Sequence, residues 1–259
     1  MMHGALHRHF IRLAYLGAHF HGWQVQPNDA SVQQSVEQAF STIFRMPISV
    51  VGAGRTDAGV NASMMIAHTD LPERVDDDSA LVRSLNSLLG PDIAVAWIHP
   101  IHADAHARFD ATARTYHYYA HCGRTPFASG LSWAAPKNLD FDRMNEAAKI
   151  LLTVSDFTSF SKLHTDVKTN ICRVSEAEWR RVENLYDPTV EQWVFVITAD
   201  RFLRNMVRAV VGTLVDVGRG KLSVKGFTEI VGAKNRCAAG TSMPGGPLFL
   251  HNIDYPYPI

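Results

Sequence analysis

Residues 47–60 place the tightest local constraint on this chain. An apolar run over 47–52 predicts a buried strand that ends in Gly52-Ala53-Gly54, and Arg55-Thr56-Asp57-Ala58-Gly59-Val60 follows at once. Three small residues let the backbone turn sharply and let another group come close. A second apolar run, 63–68, predicts the strand that leaves. Asp57 therefore sits on a loop between two strands, where reactive side chains are often held by a rigid frame. Arg55, two residues earlier, is near enough to keep that carboxylate ionised. An ionised, oriented carboxylate can act as a nucleophile or as a base at neutral pH. The same residues would also make an ordinary aspartate turn with an arginine capping the strand, because Gly and Asp are default turn residues.

The remaining periodicity predicts alternating elements. Residues 8–16 read as a strand and 32–44 as a helix. That helix is opened by a Ser31/Gln34 capping signature and carries Val32, Val36, Ala39, Phe40 and Ile43 on one face. A helix over 80–89 follows Asp76-Asp77-Asp78, an acidic run suited to a helix dipole. A strand over 93–98 completes a first half. In the second half, 112–120 alternates as a strand, with Arg114, Tyr116 and Tyr118 on one face. A helix is expected over 141–152 with Met144, Ala148, Leu151 and Leu152 inward. Strands at 171–182 and 192–199 form a hairpin through Asp187-Pro188. Helices close the chain at 203–217 and 224–233. On the first of these, Arg204 and Arg208 would share one face.

Composition narrows the function classes. The chain has 259 residues, 46% hydrophobic and 19% charged, as in a globular protein with a sizeable core. No apolar run approaches the roughly 18 residues that span a bilayer, and the His-rich residues 1–9 lack a secretory apolar stretch. Cys122, Cys172 and Cys237 are widely spaced, so neither a zinc site nor a disulfide framework is expected, and a reducing cytoplasm is the simplest compartment. Net charge is zero, but residues 1–105 carry 6 Lys+Arg against 10 Asp+Glu and residues 106–259 carry 19 against 15. Phosphate contacts are therefore expected mainly from the second half, with a few basic residues of the first near the site. No phosphate-binding glycine loop occurs, so no nucleotide cofactor is expected.

The run Gly54-Arg55-Thr56-Asp57-Ala58-Gly59-Val60 resembles the R-T-D-x-G signature of the TruA family of tRNA pseudouridine synthases. Other blocks match in order: Tyr15-Leu16-Gly17, Phe20-His21-Gly22-Trp23-Gln24, Ser31-Val32-Gln33, Phe109-Asp110-Ala111-Thr112-Ala113-Arg114-Thr115-Tyr116, Asp156-Phe157-Thr158-Ser159-Phe160 and Phe202-Leu203-Arg204-Asn205-Met206-Val207-Arg208. Several blocks in register are far more specific than one short motif. The resemblance implies an α+β fold of two similar α/β subdomains, with a joined, mostly antiparallel sheet, helices on one face and an active-site cleft between them. Residues 1–105 would carry the Asp loop, and 106–259 a basic RNA-binding surface and dimer contacts. It implies isomerisation of uridine at positions 38, 39 and 40 of the tRNA anticodon arm by a homodimer, without cofactor, metal or membrane. Asp57 would be the catalytic carboxylate. Tyr116 would stack on the uracil and take the C5 proton, with Tyr118 as its substitute should the register differ by two. Arg208 would keep Asp57 charged and aimed. Arg55 would displace the target base, and Arg114 and Arg204 would contact RNA. The chain departs from the family at Asn61, where His is usual; this alters hydrogen bonds around the loop rather than the chemistry.

Two other readings stay open on the residues. A glycoside or nucleoside hydrolase would need a second carboxylate beside Asp57, and Asp70 and Asp110 are the nearest in sequence. A noncatalytic RNA-binding module or tRNA chaperone would need no carboxylate at all. The pairs His102/His106, with Asp104 between, and His19/His21 each supply only half of a zinc site. Gly22, Trp23 and Gln24 read as structural.

Overall fold

Strand β1 (His7–Tyr15) is the spine of the first of two units, which comprises residues 1–112 and 250–259; the second comprises 113–249. The computed structural model describes residues 6–128, 130–162 and 169–259, so the first five residues of the His-rich amino terminus lie outside it.

In the first unit β1 is paired antiparallel on both sides, with β3 (Asn61–Leu71) and β4 (Ile93–Pro100). Short β2 (Val50–Gly52) pairs antiparallel with β3. β4 buries Ile93 and Val95 on one face, then Ile98, which breaks the period of two. The break has a cause. The register slips between Arg12↔Trp97 and Leu13↔Val95, and that bulge returns Ile98 to the core side. Helix α1 (Val32–Phe44) has the predicted bounds. The Ser31 Oγ accepts from Gln34 N (3.3 Å), and Val32, Val36, Ala39 and Phe40 are buried. It packs against β2 and against α2 (Ser79–Leu88), which in turn covers β4. Leu85 of α2 is fully buried, whereas Leu88 is 51% exposed.

The acidic run before α2 is structural, as expected, and works through hydrogen bonds and an ion pair. Asp78 accepts from Ile98 N (2.7 Å), Asp77 from Ser79 N (3.0 Å), and Asp76 pairs with Arg74 (2.7 Å). Asn86 of α2 clamps the backbone of β4. Its Nδ2 donates to Val95 O (2.9 Å) and its Oδ1 accepts from Val95 N (2.8 Å).

The second unit repeats this plan. β8 (Glu191–Ala199) is paired antiparallel with β5 (Ala113–Cys122) and with β7 (Val174–Val182), so the predicted hairpin is present, and β6 (Trp133–Ala135) pairs parallel with β5. Helix α3 (Phe141–Ala148) passes into a 3-10 turn over Lys149–Leu152; Leu151 is buried, but Leu152, expected inward, is 45% exposed because the tighter turn rotates it outward. Asn145 of α3 clamps β7 as Asn86 clamps β4. Its Nδ2 donates to Trp179 O (2.9 Å) and its Oδ1 accepts from Trp179 N (2.7 Å). α4 (Met206–Gly218) is buried on nearly every side, and α5 (Val224–Ala233) has the predicted bounds. β9 (Leu248–Asp254) starts in the second unit and ends in the first.

Residues 101–112 belong to the first unit because that unit holds them by their backbone and side chains. Arg8 donates to Ala105 O (2.7 Å) and Tyr255 Oη to Ala107 O (2.6 Å). Asp110 accepts from Tyr257 Oη (2.5 Å), and His68 Nδ1 accepts from Ala107 N (3.1 Å). An acceptor Nδ1 requires neutral His68. Its pKa is lowered from 6.5 to about 4, first by burial, then by the charges of Arg8 and His106, with Asp70 and Asp110 opposing. His9 is lowered in the same sense by burial, with Nδ1 donating to His7 O (2.8 Å) and Nε2 accepting from Val75 N (3.0 Å).

Two predictions follow from these contacts. Asn145→Leu leaves both Trp179 backbone groups without the amide and should cost about 1–3 kcal/mol in a urea titration, with Asn145→Asp, which keeps only the acceptor, in between. For His68 the neutral form is the folded form. Its stabilisation is complete above pH 6.5 and is lost as pH falls toward about 4. Unfolding free energy should drop by about 1–2 kcal/mol between pH 6.5 and 5, and His68→Gln, an acceptor that does not titrate, should flatten that slope.

Candidate active site

The Asp57 loop, residues 53–60, is fastened along its backbone by the segment that follows β1. Ala53 N donates to Ile66 O (2.8 Å), extending the β2–β3 pairing. Trp23 N donates to Thr56 O (3.3 Å), Gly59 N to Phe20 O (3.2 Å) and Val60 N to Asp57 O (3.1 Å). Thr56 is buried and its Oγ1 is 2.8 Å from Tyr15 Oη. These contacts need glycine. A Cβ on Gly22 would lie 2.3 Å from Thr56 O, at φ +95, and one on Gly17 would lie 2.2 Å from Val60 O. Gly52 faces the buried ring of Trp23, which a Cβ would meet at 2.5 Å. Its smallness thus serves packing, whereas Gly54 opens onto free space. Gly22 and Trp23 are structural, as expected.

Asn61, the departure from the usual His, is buried and its Oδ1 accepts from Gly17 N (2.7 Å). It fixes the turn after β1 against the loop. Asp57 itself is half-buried. Arg55 is exposed, and its Nε donates to Gln24 Oε1 (3.1 Å); among the described residues it makes no ion pair with Asp57. Gln24, not Asp57, holds Arg55, which corrects the expectation that Arg55 keeps the carboxylate ionised.

The other candidate residues belong to the second unit. Arg114 Nη1 donates to Asp200 O (2.9 Å). Tyr116, opposite Ile197 on β8, meets the edge of Phe202 with ring centroids 5.0 Å apart. Tyr118 is fully buried, and its hydroxyl has no hydrogen-bond partner among the described residues. Burial raises its pKa, and the Arg208 guanidinium partly offsets that rise. A buried phenol suits packing better than proton exchange, so Tyr116, which stays half-exposed, is the stronger of the two candidates.

Arg204 is exposed and does not lie on α4. That helix starts at Met206, after Asn205 adopts a left-handed φ of 64. Arg204 and Arg208 therefore do not share a helix face. Arg208 is held by residues 240–243, a segment that sequence reasoning missed. Its Nε donates to Met243 O (2.5 Å) and its carbonyl accepts from Met243 N (3.1 Å). Asn205 Nδ2 and Arg236 Nη2 both donate to Ser242 Oγ (2.6 and 2.8 Å), and Thr213 Oγ1 accepts from Gly240 N (3.0 Å). Gly212 is the signal that could have found it: a Cβ there would stand 1.9 Å from Thr241 O, and a glycine inside a long apolar helix marks such a close approach.

The second carboxylate that a hydrolase would need is already engaged. Asp70 forms a two-point pair with Arg8 (2.6 and 2.8 Å), which holds it below the usual carboxylate range. Asp110 accepts from Tyr257 Oη and His106 N (2.5 and 2.7 Å) and is lowered by them. His106 Nδ1 faces the backbone N–H groups of Arg108 and Phe109 (3.1 and 3.2 Å), and His102 packs edge-on against Tyr257. His19 and His21 face Asp92 and Asp29 (2.8 and 3.6 Å).

The loop's dependence on its glycines is testable. Gly22→Ala should lower unfolding free energy by about 2–4 kcal/mol in urea, more than an ordinary surface substitution, because it combines a positive φ with a steric overlap.

The chain is similar to known proteins over nearly its whole length. A family model described as tRNA pseudouridine synthase matches residues 147–256. The chain is 56% identical to tRNA pseudouridine synthase A of Bacteroides thetaiotaomicron over 97% of its own length and 91% of that protein. It is 54% identical to the Parabacteroides distasonis protein of the same name, over 97% of each chain. It is 36% identical to the one from Bacillus licheniformis, over 94% of this chain and 97% of that one. Likeness of this extent, running through the Asp57 loop and the Arg208 helix alike, means that the chain belongs to the TruA family of tRNA pseudouridine synthases.

Proposed function

We propose that this isomerase converts uridine to pseudouridine at positions 38, 39 and 40 of the tRNA anticodon arm, with Asp57 as its catalytic carboxylate. The observation that carries the reading is the 56% identity over 97% of the chain to a tRNA pseudouridine synthase A. The fastening of the Asp57 loop by the backbone of residues 20–23 supports it, since a reactive carboxylate must be held in one orientation.

The reaction breaks the bond from C1′ to uracil N1, turns the base, and joins C1′ to C5; the C5 proton then leaves and N1 takes up a proton. No electrons are exchanged with another molecule. Asp57 acts on the ribosyl or uracil carbon as nucleophile, or on the C2′ proton as base. Tyr116 stacks on the uracil and takes the C5 proton. Arg208 is assigned to keeping Asp57 charged, and its fixed contact with Met243 supports a positioning role. Arg55, Arg114 and Arg204 are assigned to the RNA, Arg55 filling the space of the displaced base. The chain acts as a homodimer in the cytoplasm, with a first subdomain carrying the Asp57 loop and a second carrying most of the basic surface.

Tritium release from tRNA containing 5-tritiated uridine tests the reading, with tRNA from cells that lack the modification. The native chain should release tritium, and Asp57→Ala should lose about 10²–10⁴-fold or more. Release by Asp57→Ala at the native rate would remove the catalytic assignment. Absence of release by the native chain would remove the activity.

A further inference from the structure

A pocket beside the Asp57 loop, within the first unit, has no role so far. Its volume is about 130 Å³, and Trp23, Gln24, Gly52, Gly54, Arg55 and Arg108 line it. The buried Trp23 ring against Gly52 gives it a rigid wall, and Gly54 keeps it open, since a Cβ there would meet nothing within 4 Å. Two arginines, Arg55 and Arg108, are among its lining residues, and no carboxylate residue is. Gln24 holds Arg55.

Arg108 is delivered by a heavily braced turn. Its backbone N–H and that of Phe109 both donate to His106 Nδ1, Ala107 is bonded on both sides by His68 and Tyr255, and Asp110 closes the turn on His106 N. The Phe109 ring is 74% exposed, yet it is fixed. It stacks on His106 with centroids 4.2 Å apart, and the Arg108 guanidinium lies 5.7 Å from its centroid. Ordering an exposed phenylalanine costs entropy that burial does not offset. A fixed, open aromatic face beside two guanidiniums is the arrangement that binds a nucleic-acid strand by stacking and charge.

We propose that Arg108, beside Arg55, forms a phosphodiester subsite for the RNA strand entering the Asp57 loop, and that Phe109 is the stacking platform for a neighbouring base. This rests on the tRNA reading above. It assigns the phosphate contact to the unit whose overall charge is acidic, so the site is set by placement and not by net charge.

The two roles separate in a salt titration of binding to unmodified tRNA. Arg108→Gln should weaken binding about five- to tenfold at 0.1 M salt and reduce the slope of log K against log salt by about 0.7–0.9, the signature of one lost phosphate contact, and Arg108→Lys should restore the slope. Phe109→Ala should weaken binding about tenfold and leave the slope unchanged. Each variant is compared at a urea midpoint equal to the native one. Native affinity and slope in Arg108→Gln, with tritium release by the native chain intact, would overturn the subsite and leave the activity standing. A loss that Arg108→Lys does not recover would also overturn it. A native chain that does not bind tRNA overturns both readings.

Discussion

The approach of one backbone to another at Gly22 governs the rest of the first unit. The Gly22 Cα meets the Thr56 carbonyl where a Cβ would stand only 2.3 Å from the oxygen. Glycine at three places lets residues 17–23 lie flat against the loop. The loop's polar backbone finds protein partners there, as buried backbone requires. The backbone of the Asp57 loop takes its shape from that fit: the Trp23 and Phe20 bonds to the loop, the Tyr15 hydroxyl on Thr56, and the Asn61 amide on Gly17.

A second layer holds the periphery with uncharged histidines. His9 and His68 each offer a ring nitrogen to a backbone N–H group. An imidazole used this way completes irregular backbone as a carbonyl would, and it works only while neutral. The 101–112 segment, which has no strand or helix of its own, stays ordered through these rings and two tyrosine hydroxyls.

Periodic features were legible in the chain, and their exceptions were not. The apolar face of α1 and the capping Ser31 carry their own boundary, so sequence and structure agree there to the residue, and the bounds of α5 agree as well. The 203–217 prediction failed at its start because apolar Leu203 extends the helical pattern. The chain instead turns at Asn205 through a left-handed residue, which costs little for asparagine. Leu152 followed the same rule and was lost to a 3-10 turn. Arg55 was misread locally because sequence proximity favoured Asp57, while Gln24 lies 31 positions away. The Arg208 bracket at 240–243 left only Gly212 as a trace, since a segment that packs through its backbone shows no side-chain pattern. The turn that carries Asp57, by contrast, was legible, because it is built from residues chosen for backbone shape.

The two units share a device whose effect reaches beyond stability. Asn86 and Asn145 each take both hydrogen-bonding groups of one residue in an outermost strand, Val95 of β4 and Trp179 of β7. An open sheet edge is a template on which another chain can add a strand. Here the template is interrupted at each outer edge by a side chain of the same unit, in the middle of the run where a newcomer would need an unbroken ladder. Strand addition across β4 or β7 would first have to dislodge an amide that matches the backbone in both donor and acceptor. The chain is thereby steered away from fibrous self-association along β4 and β7.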